Sequence, residues 1–525
     1  MDPEVRTLVD ISETPAALES QADIILEKAR WAAEIFQRYD RDTTMNIVNN
    51  VAKIAYQNAG KYANWAVEET GFGVAAHKKI KNELTTYPLV EFYQDKDFVN
   101  SIVDKNQKIV KIPRPAGVII ALIPSTNPIA TLNYKTILSL MTRNAIVISP
   151  HPAARACSVD ATYTLIEAAL DAGAPDGSIQ IIEKPTIPLI EELMKSSKTS
   201  VTLATGGSAM VRSAYSSSNP AIGVGPGNAP VYVDLSADLE KAAKNIIESK
   251  SFDNSVLCTS ESVLITLQEI DKRLKQSFKQ AGAYICNEDD VIRLRRYLFQ
   301  GRGFNLESVG RDALWIANEC GIRVPDRTLI LLAPIKQIGV EEPLSQEKLC
   351  PVLAYHVVNN LGQAIAQARA VLRISGIGHS AAIHSKDEKV IFSFANAVEV
   401  YRVVVNVPCA QGAAGFNTSL APAFTVGTGY LGSSSVGENI GPQHLVHWTS
   451  IAYNSDKSVK FGNYDELNSN FSGPLPTAPS DGVPGAGTYN TKITNNKSSD
   501  GIYGNIHKEE LRRLIAEELG EMLKK

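Results

Sequence analysis

The chain has 525 residues and a mass of 56.8 kDa, which is more than one hydrophobic core usually serves, so two or three domains are expected. A hydrophobic content of 44% and a charged content of 21% exclude a wholly disordered or fibrous chain. The formal net charge of -4 at pH 7 gives no broad attraction to nucleic acid or to anionic membranes, so neither is an expected partner.

The N-terminal residues lack the layout of a signal or transit peptide, and no apolar run reaches the roughly 18 residues that a membrane helix needs. The sequence therefore predicts a cytoplasmic protein. Its six cysteines are scattered and form no CxxC pair, which argues against a disulfide framework and a zinc-ribbon site. Most of them are expected to be reduced and buried. They are Cys157, Cys258, Cys286, Cys320, Cys350 and Cys409.

The first region, residues 14–82, is rich in Ala, Glu, Lys and Gln and has apolar residues at helical spacing. Ala22, Ile25 and Ala29 follow one apolar face, and Ile47 and Val51 follow another. This pattern predicts several amphipathic helices.

From Ile109 the pattern changes to short β-branched runs that alternate with helical stretches. A helix is expected to begin at about Thr131, between the first two runs. Continuous apolar strands that alternate with helices predict a parallel sheet covered on both faces. The fold class is therefore α/β, with a doubly wound nucleotide-binding domain over about 110–235. The expected strands are 118–123, 145–149, 178–182 and 200–204.

A second α/β stretch runs from about 239 to 430, with strands expected at 262–265 and 403–406, and is interpreted as a catalytic domain. Beyond Tyr464 the composition becomes rich in Ser, Pro, Gly and Asn, which predicts a flexible linker. The last residues, from about His507 to Lys525, place Leu, Ile and Met on one face and charged residues on the other. This pattern predicts an amphipathic helix that binds a partner.

Cys258 follows a predicted helix end and precedes a predicted strand, so its thiol could be exposed. A cysteine beside a leucine is more often a packing residue than a nucleophile, because free cysteine is among the most buried residue types. The choice between the two roles depends on the rest of the sequence.

Three other segments give this context, and the first two of them follow predicted strands. Asn127 carries an amide that can donate to a developing oxyanion, although an Asn-Pro turn explains it equally well. The run Thr205-Gly206-Gly207 lies between a strand and a helix, where a cofactor can approach the backbone closely. The segment 223–230 is dense in Gly and Pro, which indicates a special backbone path.

In this order and spacing, these segments resemble the aldehyde dehydrogenase superfamily over about residues 20–455, and in detail its CoA-acylating branch. The resemblance implies that Cys258 is the catalytic nucleophile and that the Asn127 side chain and the Cys258 backbone N–H form the oxyanion hole. It also implies that Glu347 holds the nicotinamide ribose. The positions that it implies for cofactor binding are Ser125, Thr126, His151, Pro152, Thr205, Gly206, Gly207 and Glu347.

The chain departs from hydrolytic members of this superfamily at the motif that carries their general base. Where they have Glu-Leu-Gly-Gly-Lys, this chain has Val224-Gly225-Pro226-Gly227-Asn228. Hydrolysis of a thioester needs a group that deprotonates water, whereas the CoA thiol is more acidic and more nucleophilic than water. The resemblance therefore implies that an aldehyde, CoA and NAD(P)+ give acyl-CoA and NAD(P)H.

His379 and His384 lie in a segment that also resembles the acylating branch, in which a Gly-His pair precedes a strand. This places His379 near the active site, but no catalytic role is assigned to either histidine. Their spacing could suggest metal ligands. No third ligand is indicated and a strand separates them, so no metal is expected.

The resemblance implies a Rossmann-type cofactor domain, an α/β catalytic domain and a small β oligomerisation element. Segment 433–450 resembles the acylating half of bifunctional aldehyde-alcohol dehydrogenases, and a homodimer or homotetramer is implied. The expected division is 1–235 for the N-terminal helices and dinucleotide-binding domain, with an oligomerisation hairpin near 98–112, then 236–430 for the catalytic domain, 431–463 for an oligomerisation strand segment, 464–505 for the linker and 506–525 for the targeting helix.

The linker and terminal helix resemble the encapsulation peptides that route aldehyde-handling enzymes into bacterial microcompartments, whose shell or core proteins would be the partners. Docking of the helix on its own subunit or on another enzyme is the alternative. Two other functions stay open: a hydrolytic aldehyde dehydrogenase, and a non-catalytic protein that organises a microcompartment.

The identity of the aldehyde is left open among acetaldehyde, propionaldehyde and a charged aldehyde such as sulfoacetaldehyde. NAD is the expected cofactor. NADP is also open, because Ala154 is not acidic and Arg155 would tolerate a 2′-phosphate.

Overall fold

The computed structural model describes residues 14–301, 303–464 and 467. Its N-terminal part is helical, as the apolar spacing predicts. The helices are α1 (Pro15–Phe36), α2 (Arg41–Gln57), α3 (Ala59–Thr70), α4 (Ala75–Leu84) and α5 (Tyr87–Phe92). The Thr14 side chain caps α1, which starts with Pro15 and buries one face that includes Leu18, Ala22 and Leu26.

An antiparallel pair of strands follows, and then the first parallel sheet. These elements are β1 (Ile102–Asp104), β2 (Ile109–Pro115), β3 (Val118–Leu122), α6 (Pro128–Met141), β4 (Ala145–Ser149), α7 (Arg155–Asp171), β5 (Ile179–Ile181), α8 (Ile187–Lys195), β6 (Val201–Thr205), α9 (Ser208–Tyr215) and β7 (Ala221–Val224). The expected start of α6 at Thr131 is wrong by one turn, because Pro128 has the backbone angle of a first helical residue and so begins the helix there.

The five parallel strands have the order β5-β4-β3-β6-β7, with helices on both faces. Val118, Ile120 and Leu122 share a core with α1 and α8, whereas Ile119 and Ala121 share a core with α2 and α6. The prediction of a doubly wound α/β sheet is thus confirmed. The strand order reverses between β3 and β6, which is the switch point where such sheets bind ligands.

The second parallel sheet has seven strands in the order β10-β13-β14-β9-β8-β15-β16. The remaining elements of the chain, in sequence order, are β8 (Ala229–Val233), α10 (Leu239–Ser251), β9 (Glu261–Leu267), α11 (Asp271–Gln280), β10 (Ala283–Ile285), α12 (Glu288–Leu298), β11 (Phe299–Gln300), β12 (Gly303–Phe304), α13 (Ala313–Glu319), β13 (Ile330–Pro334), β14 (Val352–Val358), α14 (Leu361–Ile374), β15 (Ala381–His384), α15 (Glu388–Ala397), β16 (Val403–Val405), α16 (Cys409–Ala413) and β17 (Val446–Ala452). The strands expected at 262–265 and 403–406 correspond to β9 and β16.

A third, antiparallel sheet joins distant parts of the chain. β2 pairs with β1 on one side and with β17 on the other, from Pro115 opposite Val446 to Ile109 opposite Ala452. The assignment of this sheet to oligomerisation and the domain boundaries stay predictions. The expected linker, apart from residues 464 and 467, and the expected terminal helix lie outside the described residues.

None of the helices described is both long enough and apolar enough to cross a membrane.

Candidate active site

The candidate site lies where the two parallel sheets meet end to end. The loops after β3 and β6 leave the carboxyl edge of the five-stranded sheet, whereas the loops before β8, β9, β14 and β15 enter the amino edge of the seven-stranded sheet. Asn127 on the first edge donates through Nδ2 to Val256 O on the second, at 3.3 Å. The segment 225–228 runs directly from β7 to β8 and joins the two edges covalently.

Cys258 is partly exposed, whereas the other five cysteines are buried, and none of the six forms a disulfide. The prediction of reduced, buried cysteines is confirmed for those five. Cys258 precedes β9 and follows Asp253, Asn254 and Ser255, whose φ angles of 50°, 52° and 65° are all left-handed. Residues other than glycine rarely adopt this conformation. A distinctive backbone turn therefore leads directly to the thiol.

The thiol of Cys258 contacts a histidine from the loop before β15. The Sγ atom lies 3.2 Å from His379 Nε2, and His379 Nδ1 lies 3.0 Å from Ser380 Oγ. If Nε2 accepts from the thiol, Nδ1 carries the ring proton and donates it to the serine hydroxyl. This arrangement connects a nucleophile, a base and an orienting group in one chain of hydrogen bonds.

Burial keeps both members of this pair neutral. It raises the pKa of Cys258 to about 12, and the nearby Glu347 carboxylate adds to that effect, while the charges of Arg402 and Lys81 oppose it. Burial, with the Arg402 charge, lowers the pKa of His379 to about 3. Near neutral pH the thiol therefore holds its proton, and the imidazole carries no positive charge.

Asn127 is buried beside a cluster of charges. Lys81 Nζ donates to Asn127 Oδ1, and Asn127 Nδ2 donates to Thr126 Oγ1 at 3.2 Å. Lys81 also pairs with the buried Asp253. Sequence reasoning proposed Asn127 but did not single out Lys81 or Asp253.

Glu347 lies on the opposite side of the segment 225–228. Its Oε1 accepts from the Gly227 backbone N–H at 3.1 Å, and burial raises the pKa of its carboxyl to about 8. A Cβ atom on Gly227 would lie 2.0 Å from the Cys258 carbonyl oxygen. Glycine is thus the residue that lets the backbone approach Cys258 so closely.

Except for Glu347, the residues expected to bind a cofactor lie at one edge of the five-stranded sheet. Ser125 and Thr126 follow β3, His151 and Pro152 follow β4, and the run Thr205-Gly206-Gly207 ends β6 and leads into α9. His151 Nδ1 accepts from the Ala153 backbone at 3.1 Å. A Cβ atom built on Gly206 would meet nothing within 4 Å. The turn after β6 thus faces open space at the switch point, where a nucleotide would fit.

Sequence reasoning noticed His379 but gave it no role, and the signal available was the Gly-His pair before a strand. His384, five residues further on, is buried at the end of β15. Across the part of the chain that the structure describes, no group of three or more His, Cys, Asp or Glu side chains is arranged to hold a metal ion.

Comparison with known proteins supplies the family. The family model for the aldehyde dehydrogenase family matches residues 3–290, more than half of the chain. The chain belongs to the aldehyde dehydrogenase family. It is 38% identical over 448 residues to the aldehyde-alcohol dehydrogenase of Clostridium acetobutylicum, a match that covers 84% of this chain and 52% of that protein. The chain therefore spans about half the length of the first curated relatives it matches.

Other relatives of the chain match over nearly their whole length. The acetylating succinate-semialdehyde dehydrogenase of Clostridium kluyveri is 34% identical, with 84% of this chain and 98% of that protein covered. The crystal structure of an acetylating aldehyde dehydrogenase from Geobacillus thermoglucosidasius superposes with a TM-score of 0.82 at 36% identity, covering 85% of this chain and 99% of that one. These relatives associate the chain with the acylating members of the family.

Two further solved structures are similar to the chain, one from a bacterial microcompartment and one with a bound CoA ester. A propionaldehyde dehydrogenase from the fucose-utilisation microcompartment of Clostridium phytofermentans has a TM-score of 0.76 and 28% identity, and covers 83% of this chain and 98% of that chain. The propionaldehyde dehydrogenase of Rhodopseudomonas palustris with bound propionyl-CoA has the same score and identity, and covers 83% and 94%.

Proposed function

We propose that this protein is a CoA-acylating aldehyde dehydrogenase, which converts an aldehyde, CoA and NAD(P)+ into acyl-CoA and NAD(P)H. The observation that carries the proposal is the 3.2 Å contact between Cys258 Sγ and the neutral imidazole of His379. A thiol beside a neutral base is the arrangement that a cysteine nucleophile needs.

In the first half-reaction, His379 Nε2 accepts the thiol proton while the Cys258 sulfur bonds to the aldehyde carbon. The Asn127 amide and the Cys258 backbone N–H stabilise the negative charge that develops on the aldehyde oxygen. A bound NAD(P)+ would supply the hydride acceptor for that carbon, and Cys258 would then hold the acyl group as a thioester. His379 then releases its proton to solvent and is neutral again.

In the second half-reaction, His379 accepts the proton of the CoA thiol, whose sulfur attacks the thioester carbon. The bond to Cys258 breaks, and the departing cysteine sulfur recovers that proton from His379. Val224, which aligns with the general-base glutamate of hydrolytic members, is buried at the end of β7 and has no titratable group. Its apolar side chain supports transfer to CoA over transfer to water.

The chain's own residues fit a nicotinamide dinucleotide at the switch point. The open turn at Gly206 would admit the cofactor phosphates to the first turn of α9. Glu347, held by the Gly227 N–H, would bind the nicotinamide ribose. Arg155 donates to Glu183 O at 3.3 Å, and this contact is compatible with both NAD and NADP.

The relatives support a short-chain aldehyde as the substrate, because they are named for succinate semialdehyde and propionaldehyde. One of them comes from a bacterial microcompartment, and we extend that setting to this chain together with assembly as a homodimer or homotetramer. Binding to shell or core proteins through residues 506–525 belongs to the same proposal.

The test is NADH formation by the purified protein with acetaldehyde, propionaldehyde or succinate semialdehyde, with and without CoA. Cys258→Ala serves as the blank. We expect turnover that requires CoA and disappears in the variant. Sustained turnover without CoA would favour a hydrolytic enzyme. Absence of turnover with every aldehyde and with both NAD and NADP would favour a non-catalytic organising protein.

A further inference from the structure

Two lysines one turn apart on α4 connect the loops that carry the proposed catalytic residues. Lys78 Nζ donates to Thr126 O at 2.9 Å, and Lys81 Nζ donates to Asn127 Oδ1. Both lysines also pair with Asp253, Lys78 at 3.0 Å. Thr126 and Asn127 belong to the loop after β3, whereas Asp253 belongs to the segment before Cys258. Helix α4 therefore links the loop after β3 to the segment before β9.

Asp253 is held in place from several directions. It is fully buried and lies in the left-handed turn before Cys258. Its Oδ1 accepts from the Val74 backbone at 2.6 Å, and its own N–H donates to His77 Nδ1 at 2.9 Å. The Lys81 and Lys78 charges outweigh the effect of burial and keep the pKa of its carboxyl below the usual value. It is thus a fixed anion that anchors both ammonium groups.

The contact between Lys81 and Asn127 has a direction. Burial lowers the pKa of Lys81 to about 7, and below that pH its ammonium only donates hydrogen bonds, so it must face the amide oxygen of Asn127. The Nδ2 group is then turned toward Thr126 Oγ1 and Val256 O, two residues before Cys258. Without the ammonium, the oxygen and nitrogen of the amide could exchange places, because they have nearly the same shape.

We propose that Lys81, anchored by Asp253, is a positioning residue that holds the Asn127 amide with Nδ2 on the side of Cys258, so that one N–H exchanges its acceptor, Thr126 Oγ1 or Val256 O, for the oxygen of the reacting aldehyde. The proposal rests on the function proposed above. Lys81 does not touch the substrate. It orients the Asn127 amide so that the nitrogen, and not the oxygen, faces the substrate. The lysine charge also polarises the amide, which makes its N–H a stronger donor.

The test is a double-mutant cycle of Lys81→Met and Asn127→Ala, read in CoA-dependent NADH formation. Removal of an oxyanion donor typically lowers kcat about 100-fold to 1,000-fold. We expect Lys81→Met to lower kcat about 10-fold to 100-fold, with the KM values for NAD and CoA changed by less than about twofold. The double variant should be no slower than Asn127→Ala, because Lys81 acts only through that amide.

Lys78→Met is the matched control. It removes a buried ammonium group that lies on the same helix and also pairs with Asp253. This ammonium contacts the Thr126 carbonyl and does not contact Asn127. In either variant Asp253 keeps one lysine partner, so no carboxylate is left buried and unpaired. We expect the two variants to lose similar stability in thermal unfolding, whereas Lys78→Met should lower kcat by less than about threefold.

The proposal would be overturned if the fold loss of kcat in the double variant equalled the product of the losses in Lys81→Met and Asn127→Ala. Equal losses of kcat in Lys78→Met and Lys81→Met would also overturn it. If Lys81→Met does not fold, Lys81→Gln takes its place in the cycle and is expected to lower kcat by about 10-fold, since its amide can present either end to Asn127. Failure of the wild-type protein to oxidise any aldehyde would instead contradict the proposed function, which makes the two failures distinguishable.

Discussion

The two parallel sheets contribute to the candidate site from opposite edges. The five-stranded sheet supplies loops that leave its carboxyl edge, where open α/β sheets ordinarily bind ligands. The seven-stranded sheet supplies loops that enter its amino edge, and these carry Cys258, His379 and Glu347. The rule for a single sheet thus accounts for only half of the site, and the other half depends on how one sheet is placed against the other.

The two halves also differ in charge. Asn127 belongs to a network of buried ions with Lys81 and Asp253, whereas Cys258 faces the neutral pair of His379 and Ser380. One half therefore keeps its geometry through fixed charges, and the other keeps a proton available for transfer. Substitutions in each half should have different consequences.

The largest effect is expected from Asp253→Ala, which removes the anion of the charged half. Two buried ammonium groups would lose their partner, and breaking a buried ion pair in this way typically costs about 3–5 kcal/mol. The free energy of unfolding in urea measures the loss. Asp290→Ala is the control, because that buried carboxylate caps α12 and should cost only about 1 kcal/mol. Similar losses in the two variants would show that the ion network contributes no special stability.

His379→Ala tests the neutral half. Loss of a general base typically slows a reaction about 100-fold to 10,000-fold, and we expect about 100-fold to 1,000-fold here, together with a lower free energy of unfolding because the buried side chain leaves a cavity. The measurement is kcat for CoA-dependent NADH formation. His384→Gln, at the end of β15 and away from Cys258, should retain activity within about threefold. Full activity in His379→Ala would remove the histidine from the mechanism.

Glu347→Gln tests the pH dependence of stability. Burial raises the pKa of Glu347 to about 8 from its usual 4.5, so the folded chain keeps a proton that the unfolded chain releases. The resulting stabilisation is complete below about pH 4.5 and is lost as the pH rises toward 8. Wild type should therefore lose roughly 2 kcal/mol more than Glu347→Gln between pH 5 and pH 7. Parallel unfolding curves of the two proteins over this range would contradict the prediction.

Ser380→Ala should have the smallest effect. Its hydroxyl accepts from His379 Nδ1 and favours the tautomer that leaves Nε2 unprotonated. The loss of one such hydrogen bond is worth about 1 kcal/mol, or roughly a fivefold fall in kcat. Ser380→Thr keeps the hydroxyl and should restore most of the rate. A fall of the same size in both variants would indicate a packing effect instead.

The fold was predictable from the sequence where local patterning decides it. β4 occupies the residues of its apolar run, and the alternation of strands with helices predicted a doubly wound sheet because each element has a clear periodicity. The position of α6 was missed by one turn, since its first residues are defined by Pro128 and not by an apolar stripe.

The candidate site was less predictable, because its contacts join residues that are distant in sequence. Asp253 and Lys81 are separated by 172 positions, and Cys258 and His379 by 121. A lysine in a helix ordinarily indicates a solvated face, and nothing near Lys81 in the sequence reveals the buried carboxylate that it meets. Family resemblance identified Cys258 and Asn127, but it did not extend to the ions that surround them.

The connection between β7 and β8 has a mechanical consequence. Only residues 225–228 separate β7, the last strand of one sheet in sequence, from β8, the first strand of the other, and Gly227 packs on the Cys258 carbonyl. Any rotation of one sheet relative to the other would require changes in the backbone angles of residues 225–228, which contact the Cys258 backbone. Binding or release of a cofactor at the five-stranded sheet would therefore displace the backbone next to the Cys258 thiol. A substitution that makes residues 225–228 more rigid should slow the exchange of cofactor and of CoA together.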